Sequence, residues 1–236
     1  MSQHRIPHLP VIITGGGRAG LSVSWYLCAA GIEHLVLERA GKFESWRNNR
    51  WDSLCLITLN WQCRLPGWPY RGPDPDGFVL GDQVVDCLDG VATSFNPAIL
   101  KGVTVTRIAP HPFGDIVETR GGIYAGDQVV IANVGYDTPN GHAFAQDLDP
   151  SIPQIYPSQY RRPSQMPSGA TLIVGTGQFV VPLMGNLHLA GRQVHLAGGP
   201  APRSPRNYRG RDATTGCMTR AMTTSPSTST PTRSKR

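Results

Sequence analysis

Three glycines impose the tightest constraint on this chain. Gly15, Gly17 and Gly20 are spaced as G-x-G-x-x-G, directly after the apolar run Leu9-Pro10-Val11-Ile12-Ile13. That run predicts a strand buried in a parallel sheet, stopped by Thr14-Gly15-Gly16-Gly17. Arg18 to Ala30 then predicts a helix, with Leu21, Trp25 and Cys28 at helical spacing and Gly31 where a left-handed cap is wanted. His34-Leu35-Val36-Leu37 predicts a second strand that ends in Glu38. Strand, glycine turn, helix and strand make one βαβ unit. In such a turn the first glycine permits the bend, the second lets a pyrophosphate approach the backbone and the third lets helix and strand pack closely. The helix N-terminus draws the phosphate charge. Glu38 lies 18 residues after Gly20, where a carboxylate can accept both ribose hydroxyls of an adenosine. The four features together predict dinucleotide binding rather than an ordinary glycine-rich turn.

The pattern returns about 160 residues later. Leu172-Ile173-Val174 predicts a strand, Gly175-Thr176-Gly177 a turn, Phe179 to Ala190 a helix and Gln193-Val194-His195-Leu196 a strand. The third glycine is replaced by Val180, and Phe179 sets a bulky ring beside it. Two readings stand for this copy: a second nucleotide site, or a structural βαβ unit whose ligand binding is weakened. The predicted fold class is therefore α/β, with two Rossmann-like dinucleotide-binding modules, the second incomplete.

Between the units, Lys42 to Gly81 has no sustained period but holds Trp46, Trp51, Trp61 and Trp68, so it predicts an ordered irregular stretch. Asp82 to Phe95 predicts a helix. Val103 to Thr106, Ile116 to Thr119 and Ile123-Tyr124 predict a small antiparallel meander, and Asp127 to Ala132 a separate buried strand.

Charge is unevenly distributed. Of the 22 Lys+Arg, eight lie after residue 202, against one of the 16 acids, so the body is close to neutral and the basic character belongs to the C-terminal end. A nucleic-acid-binding body is thereby disfavoured. Residues 213-236 include 12 Ser or Thr and no acid, and predict a disordered basic tail. Such a tail alone could tether a protein to an acidic surface. Five cysteines without a C-x-x-C pair predict free thiols in a reducing, cytoplasmic setting, and no zinc-type spacing occurs. Ala170 to Gly191 lacks charge over a membrane-spanning length, but its glycines, Pro182, Gln178, Asn186 and His188 argue against a span. No leader pattern is present at the N-terminus.

From about Pro10 to Asp212 the sequence resembles flavin-dependent monooxygenases of the flavin-containing, Baeyer-Villiger and indole-pyruvate type, and their bacterial flavoprotein oxidoreductase relatives. The segments that carry the resemblance are VIITGGGRAGLSVSWYL, HLVLER, ESWRNNRWDSL, NWQCRLPGWPY with PDPDGF, TLIVGTGQ and PRNYRGRD. It implies FAD held by Gly15, Gly17, Arg18, Ala19 and Gly20, with Glu38 and Arg39 at the adenosine ribose. Trp46 and Arg47 would face the flavin, and Val105 would line the adenine site. It implies NADPH at Gly175, Gly177 and Gln178, with Arg203 and Arg206 either meeting the 2′-phosphate or standing as solvated charges. The implied reaction moves hydride from NADPH to FAD and one oxygen atom from O2, through a peroxyflavin, to a small organic substrate. Asn60 is the candidate catalytic residue, or else the group that satisfies a turn.

Departures from the family fall at cofactor-facing positions: Leu59 for Pro, Asn133-Val134 for a Thr-Gly pair, and Val180. The implied domains are an FAD-binding domain over residues 1-140 without its returning segment, a partial NADPH-binding domain over 141-212, and the tail over 213-236. The change of composition after Asp212 suggests a reading-frame change or truncation, which predicts a family-like continuation in another frame. A truncated, inactive nucleotide-binding remnant is the alternative to an active monooxygenase.

Overall fold

The computed structural model describes residues 6–41, 43–133, 139–200, 205–208 and 210–213. Its centre is a six-stranded sheet in the order β5-β2-β1-β8-β7-β6. Strands β1 (His8–Thr14), β2 (His34–Glu38), β5 (Ile99–Lys101) and β8 (Gly122–Ile131) run parallel, while β6 (Val105–His111) and β7 (Gly114–Thr119) extend the sheet in antiparallel fashion. Alternation along β1 explains why its apolar run is nearly continuous. Val11 and Ile13 pack with Val36 against Val23 and Leu27 of helix α1 (Arg18–Ala29). Ile12 points the other way, into Leu37 and Val117 on the meander side. A strand covered on both faces needs apolar residues at every position.

The predicted βαβ boundaries hold within a residue or so, including Gly31, whose φ is +66°. The meander differs from expectation. Ile123-Tyr124 and the stretch from Asp127 are not two strands but parts of one ten-residue strand, β8, which ends at Ile131, one residue short of the expected Ala132. Its first half pairs antiparallel with β7 (Thr119↔Gly122 to Asp115↔Gly126), and its second half continues beside β1 to Thr14↔Ile131. Gly126 reads as a separator in the sequence. In the sheet it is a close-approach position, where an added Cβ would stand 3.1 Å from Ile12 Cδ1. The meander's first strand also begins later than Val103, at Val105.

The stretch from residue 42 to 81 is ordered by short elements: helix α2 (Glu44–Asn48), a hairpin of β3 (Cys55–Leu59) with β4 (Phe78–Leu80), and a 3-10 turn at Asn60–Gln62. Helix α3 (Gly81–Phe95) follows and buries Leu88, Val91 and Ala92 against Leu21 of α1, Phe43 and Leu65.

The second βαβ unit comprises β9 (Thr171–Val174), α4 (Val180–Leu189) and β10 (Val194–Ala197), with the strands parallel in the register Thr171↔Val194 to Val174↔Ala197. The uncharged Ala170 to Gly191 stretch is thus a strand, a turn and a short helix. Among the described residues no helix is long and apolar enough to cross a membrane. This unit docks on the first through a core of Trp51, Leu54, Tyr160 and Leu187. The expected disordered tail, residues 213–236, lies outside the described residues apart from Ala213.

Candidate functional site

The first glycine turn has the shape that a pyrophosphate requires, and each glycine has a different reason to be one. Gly15 adopts φ +102°, and a Cβ there would stand 2.8 Å from the Ala132 carbonyl oxygen. At Gly20 a Cβ would fall 1.9 Å from the Gly15 carbonyl oxygen, because α1 begins directly against the turn. Gly17 faces open space, with nothing within 4 Å of an added Cβ. Gly17 is also the N-cap of α1 and offers no side-chain cap, so the helix's first N–H groups, from Arg18 onward, are left for a ligand. Arg18 and Ala19 are both exposed at this end.

Glu38 ends β2 beside the same turn. Its carboxylate accepts the Gly16 N–H at 2.6 Å and the Ala40 N–H at 3.0 Å. Two backbone donors fix the orientation of the carboxylate and leave lone pairs free to accept ribose hydroxyls. Arg39 follows it, exposed. The Glu38 carbonyl accepts the Val103 N–H at 3.0 Å, which brings the start of the meander, and Val105 two residues on, alongside the acidic end of β2. An open cradle, an uncapped helix start and an oriented carboxylate fit the adenosine diphosphate half of FAD.

Trp46 and Arg47 lie on α2 and line a cleft of about 410 Å3 with Arg50, Trp51, Asp52 and the start of α3. Trp46 also packs against the cluster that holds Leu21, and the Arg50 guanidinium stands 5.4 Å above its ring. Arg47 is ion-paired with Asp89 of α3. The Arg18 guanidinium lies near the half-buried thiols of Cys63 and Cys87. Burial pushes both thiols up, Arg18 opposes this, and Cys87 adds to the rise at Cys63.

Asn60 has a structural duty. Its Nδ2 donates to the Asp74 carbonyl at 2.8 Å, and its own N–H donates to the Gly77 carbonyl at 2.9 Å, so it clasps the loop that runs from the 3-10 turn back to β4. Its Oδ1 is buried and has no hydrogen-bond partner among the described residues. The turn-satisfying reading therefore accounts for the amide nitrogen and the backbone, while the carbonyl oxygen stays unassigned.

The second turn repeats the first in looser form. Gly175 has φ +129°, and a Cβ at Gly177 would again meet nothing within 4 Å. Val180, where the third glycine is missing, keeps its Cγ2 3.8 Å from the position of a Gly175 Cβ, ordinary contact instead of the near overlap at Gly20. Gln178 is exposed beside the turn, whereas Phe179 turns inward onto Trp51. Arg206 stands elsewhere. Its guanidinium pairs with Asp212 at 2.5 Å, donates to the Ile57 carbonyl at 2.7 Å and lies 5.1 Å over the Phe78 ring. It thus lines a separate cavity of about 540 Å3 with Leu59, Trp61 and Asp76, none of them from the second turn. Arg203 and Val134 lie outside the described residues. The contacts of the Gly16 N–H, Trp51, Ser53 and Asn186 join residues too far apart in the chain to leave a local signal in the sequence.

The family model for pyridine nucleotide-disulphide oxidoreductases matches residues 12–211. The chain belongs to that family. Its relatives bear out the resemblance to flavin-dependent monooxygenases. A CzcO-like oxidoreductase of Geobacillus kaustophilus, itself uncharacterised, is 32% identical over 168 residues, 71% of this chain and 48% of the relative. An indole-3-pyruvate monooxygenase of Oryza sativa subsp. japonica is 36% identical over 85 residues, 36% of this chain and 19% of that protein. A solved flavin monooxygenase of Stenotrophomonas maltophilia shares the fold with a TM-score of 0.75 at 19% identity, over 92% of this chain and 64% of its own. This chain spans about half the length of its CzcO-like relative, 48%.

Proposed function

We propose that this chain is an FAD-binding, NADPH-dependent oxidoreductase of the flavin monooxygenase type, acting on a small organic substrate and O2. The observation that carries the reading is the first turn, where open Gly17, strained Gly15 and close-packed Gly20 stand beside an oriented Glu38. In this reading the N–H groups at the start of α1 bind the FAD pyrophosphate, Glu38 holds the ribose, and Trp46 and Trp51 keep water from the flavin end. Bound FAD would supply hydride acceptance and O2 activation, chemistry that no protein side chain provides. Gly175, Gly177 and Gln178 would hold NADPH. Asn60 Oδ1, buried without a hydrogen-bond partner among the described residues, is a polar group available to a ligand beside the loop. Residues 1-140 and 141-212 are taken as the two cofactor domains, and the free thiols of Cys28, Cys55, Cys63 and Cys87 support a reducing, cytoplasmic setting.

The test is an absorbance spectrum of purified protein loaded with FAD, recorded without oxygen before and after NADPH. Bleaching of the flavin band supports the reading, and folded protein that stays colourless with FAD overturns it. A second reading, an FAD-binding remnant without turnover, is favoured by the second unit, whose two-stranded sheet leaves Leu172 61% and Leu196 50% exposed. It predicts a yellow protein whose flavin NADPH does not bleach.

A further inference from the structure

The second glycine turn is attached to the first unit through a side chain of its own. Phe179, the residue before α4, meets the Trp51 indole edge to face, with ring centroids 5.7 Å apart and planes at 80°. Trp51 is buried with Leu54, Tyr160 and Leu187, yet the same residue lines the 410 Å3 cleft beside Trp46, Arg47 and Arg50. Trp51 therefore touches Phe179, the residue between the second turn and α4, and lines the candidate flavin-facing cleft at once.

Polar contacts run alongside the ring pair. The Tyr160 hydroxyl donates to Asn186 Oδ1 on α4, and Asn186 Nδ2 donates to Ser53 Oγ at 2.7 Å. Arg161 Nη1 donates to the Arg50 carbonyl at 2.6 Å, and the Asp52 N–H donates to the Arg161 carbonyl at 2.9 Å. The segment from Arg50 to Ser53 is thus held by hydrogen bonds on either side of Trp51, and the indole packs on Phe179, which follows the turn directly.

We propose that Phe179 and Trp51 are positioning residues that lock the second glycine turn to the Trp46–Arg50 cleft, so that a dinucleotide bound at that turn displaces the Trp51 ring. The physical ground is dense packing: a close-packed contact is not continuously deformable, and a ring that moves carries its neighbour with it. The inference rests on the reading that Gly175 to Gln178 hold a dinucleotide. It adds that the bulky ring of Phe179 beside this turn makes the site sense the first unit instead of merely narrowing it.

The test uses the full chain loaded with FAD and labelled with 5-fluorotryptophan, with NADP+ as the probe. Fluorine resonances are assigned with Trp51→Phe and Trp46→Phe, and binding is measured separately by equilibrium dialysis. Saturating NADP+ is expected to shift the Trp51 and Trp46 resonances. In Phe179→Leu, which keeps an apolar side chain in the core, NADP+ still binds but the Trp46 shift is lost, and Phe179→Tyr restores it. If Phe179→Leu does not fold, loss of the Trp46 shift in Trp51→Phe serves in its place. NADP+ that binds without moving these resonances, or that moves Trp46 equally in Phe179→Leu, overturns the proposal and leaves the cofactor reading standing. Absence of NADP+ binding by dialysis removes that reading and the proposal with it.

Discussion

The chain contains the same supersecondary unit twice, and the two copies differ in what surrounds them. In the first, β1 lies between β2 and β8, with α1 on one face and the meander side on the other, so Ile12, Ile13, Val36 and Leu37 are fully buried. In the second, β9 pairs only with β10 among the described strands, and Leu189 on α4 is 89% exposed. A βαβ sequence pattern specifies a turn and a helix, whereas stability depends on how many neighbours cover its faces. Apolar area removed from water stabilises by about 25 cal/mol per Å2, and an exposed leucine contributes little of this.

The largest contrast is expected from truncating one strand leucine in each unit. Leu37→Ala in β2 is expected to lower unfolding free energy by about 2–5 kcal/mol. Leu172→Ala in β9 is expected to change it by less than about 0.5 kcal/mol. Denaturant titrations of both variants measure this, and equal effects would show that β9 is as well covered as β2.

A smaller contrast concerns the turns. Gly20→Ala places a Cβ against backbone at Gly15, so we expect a loss of about 1–3 kcal/mol together with weakened FAD binding. Gly177→Ala points into open space and is expected to leave stability within about 0.5 kcal/mol. Thermal melts with and without FAD separate the two.

Glu38→Gln tests the cofactor end of the first unit. Removing the charged acceptor should weaken FAD by about tenfold, the equivalent of one charge-assisted hydrogen bond, and should also lower the melting temperature of the apoprotein, because an amide cannot accept from both the Gly16 and the Ala40 N–H. Fluorescence titration with FAD checks it, and an unchanged affinity would take Glu38 out of the site.

The smallest effect is chemical. Burial raises the Cys63 and Cys87 thiols, so less thiolate is present near pH 8, while Cys28 and Cys55 are exposed. Iodoacetamide should therefore label Cys28 and Cys55 first, as read by peptide mass spectrometry. The lag of Cys63 and Cys87 should shrink as pH rises, since the fraction of thiolate grows.

Local signals carried far in this chain. The glycine spacing, the apolar runs and Glu38 were legible because a buried parallel strand, a tight turn and a helix N-terminus each demand particular residues within a few positions. Gly126 misled for the opposite reason: a glycine that breaks a sequence run was needed to let β8 approach Ile12. The strand β5, only three residues long and starting two positions after Pro97, carries too few residues for a period. Asn60 could be marked as a candidate from resemblance, but its clasp on Asp74 and Gly77 emerges only when the intervening loop folds back.

By itself, then, the sequence determined two βαβ units, the phosphate-type turn of the first and the acid beside it, since these follow from steric and hydrogen-bonding demands over short spans. Only the tertiary structure decided that the meander and the parallel strands share one sheet, that Arg206 turns to Asp212 and Ile57, and that Phe179 rests on Trp51. Each of the last two joins residues more than a hundred positions apart in at least one of its contacts, and such partners are chosen by packing, which no local pattern encodes.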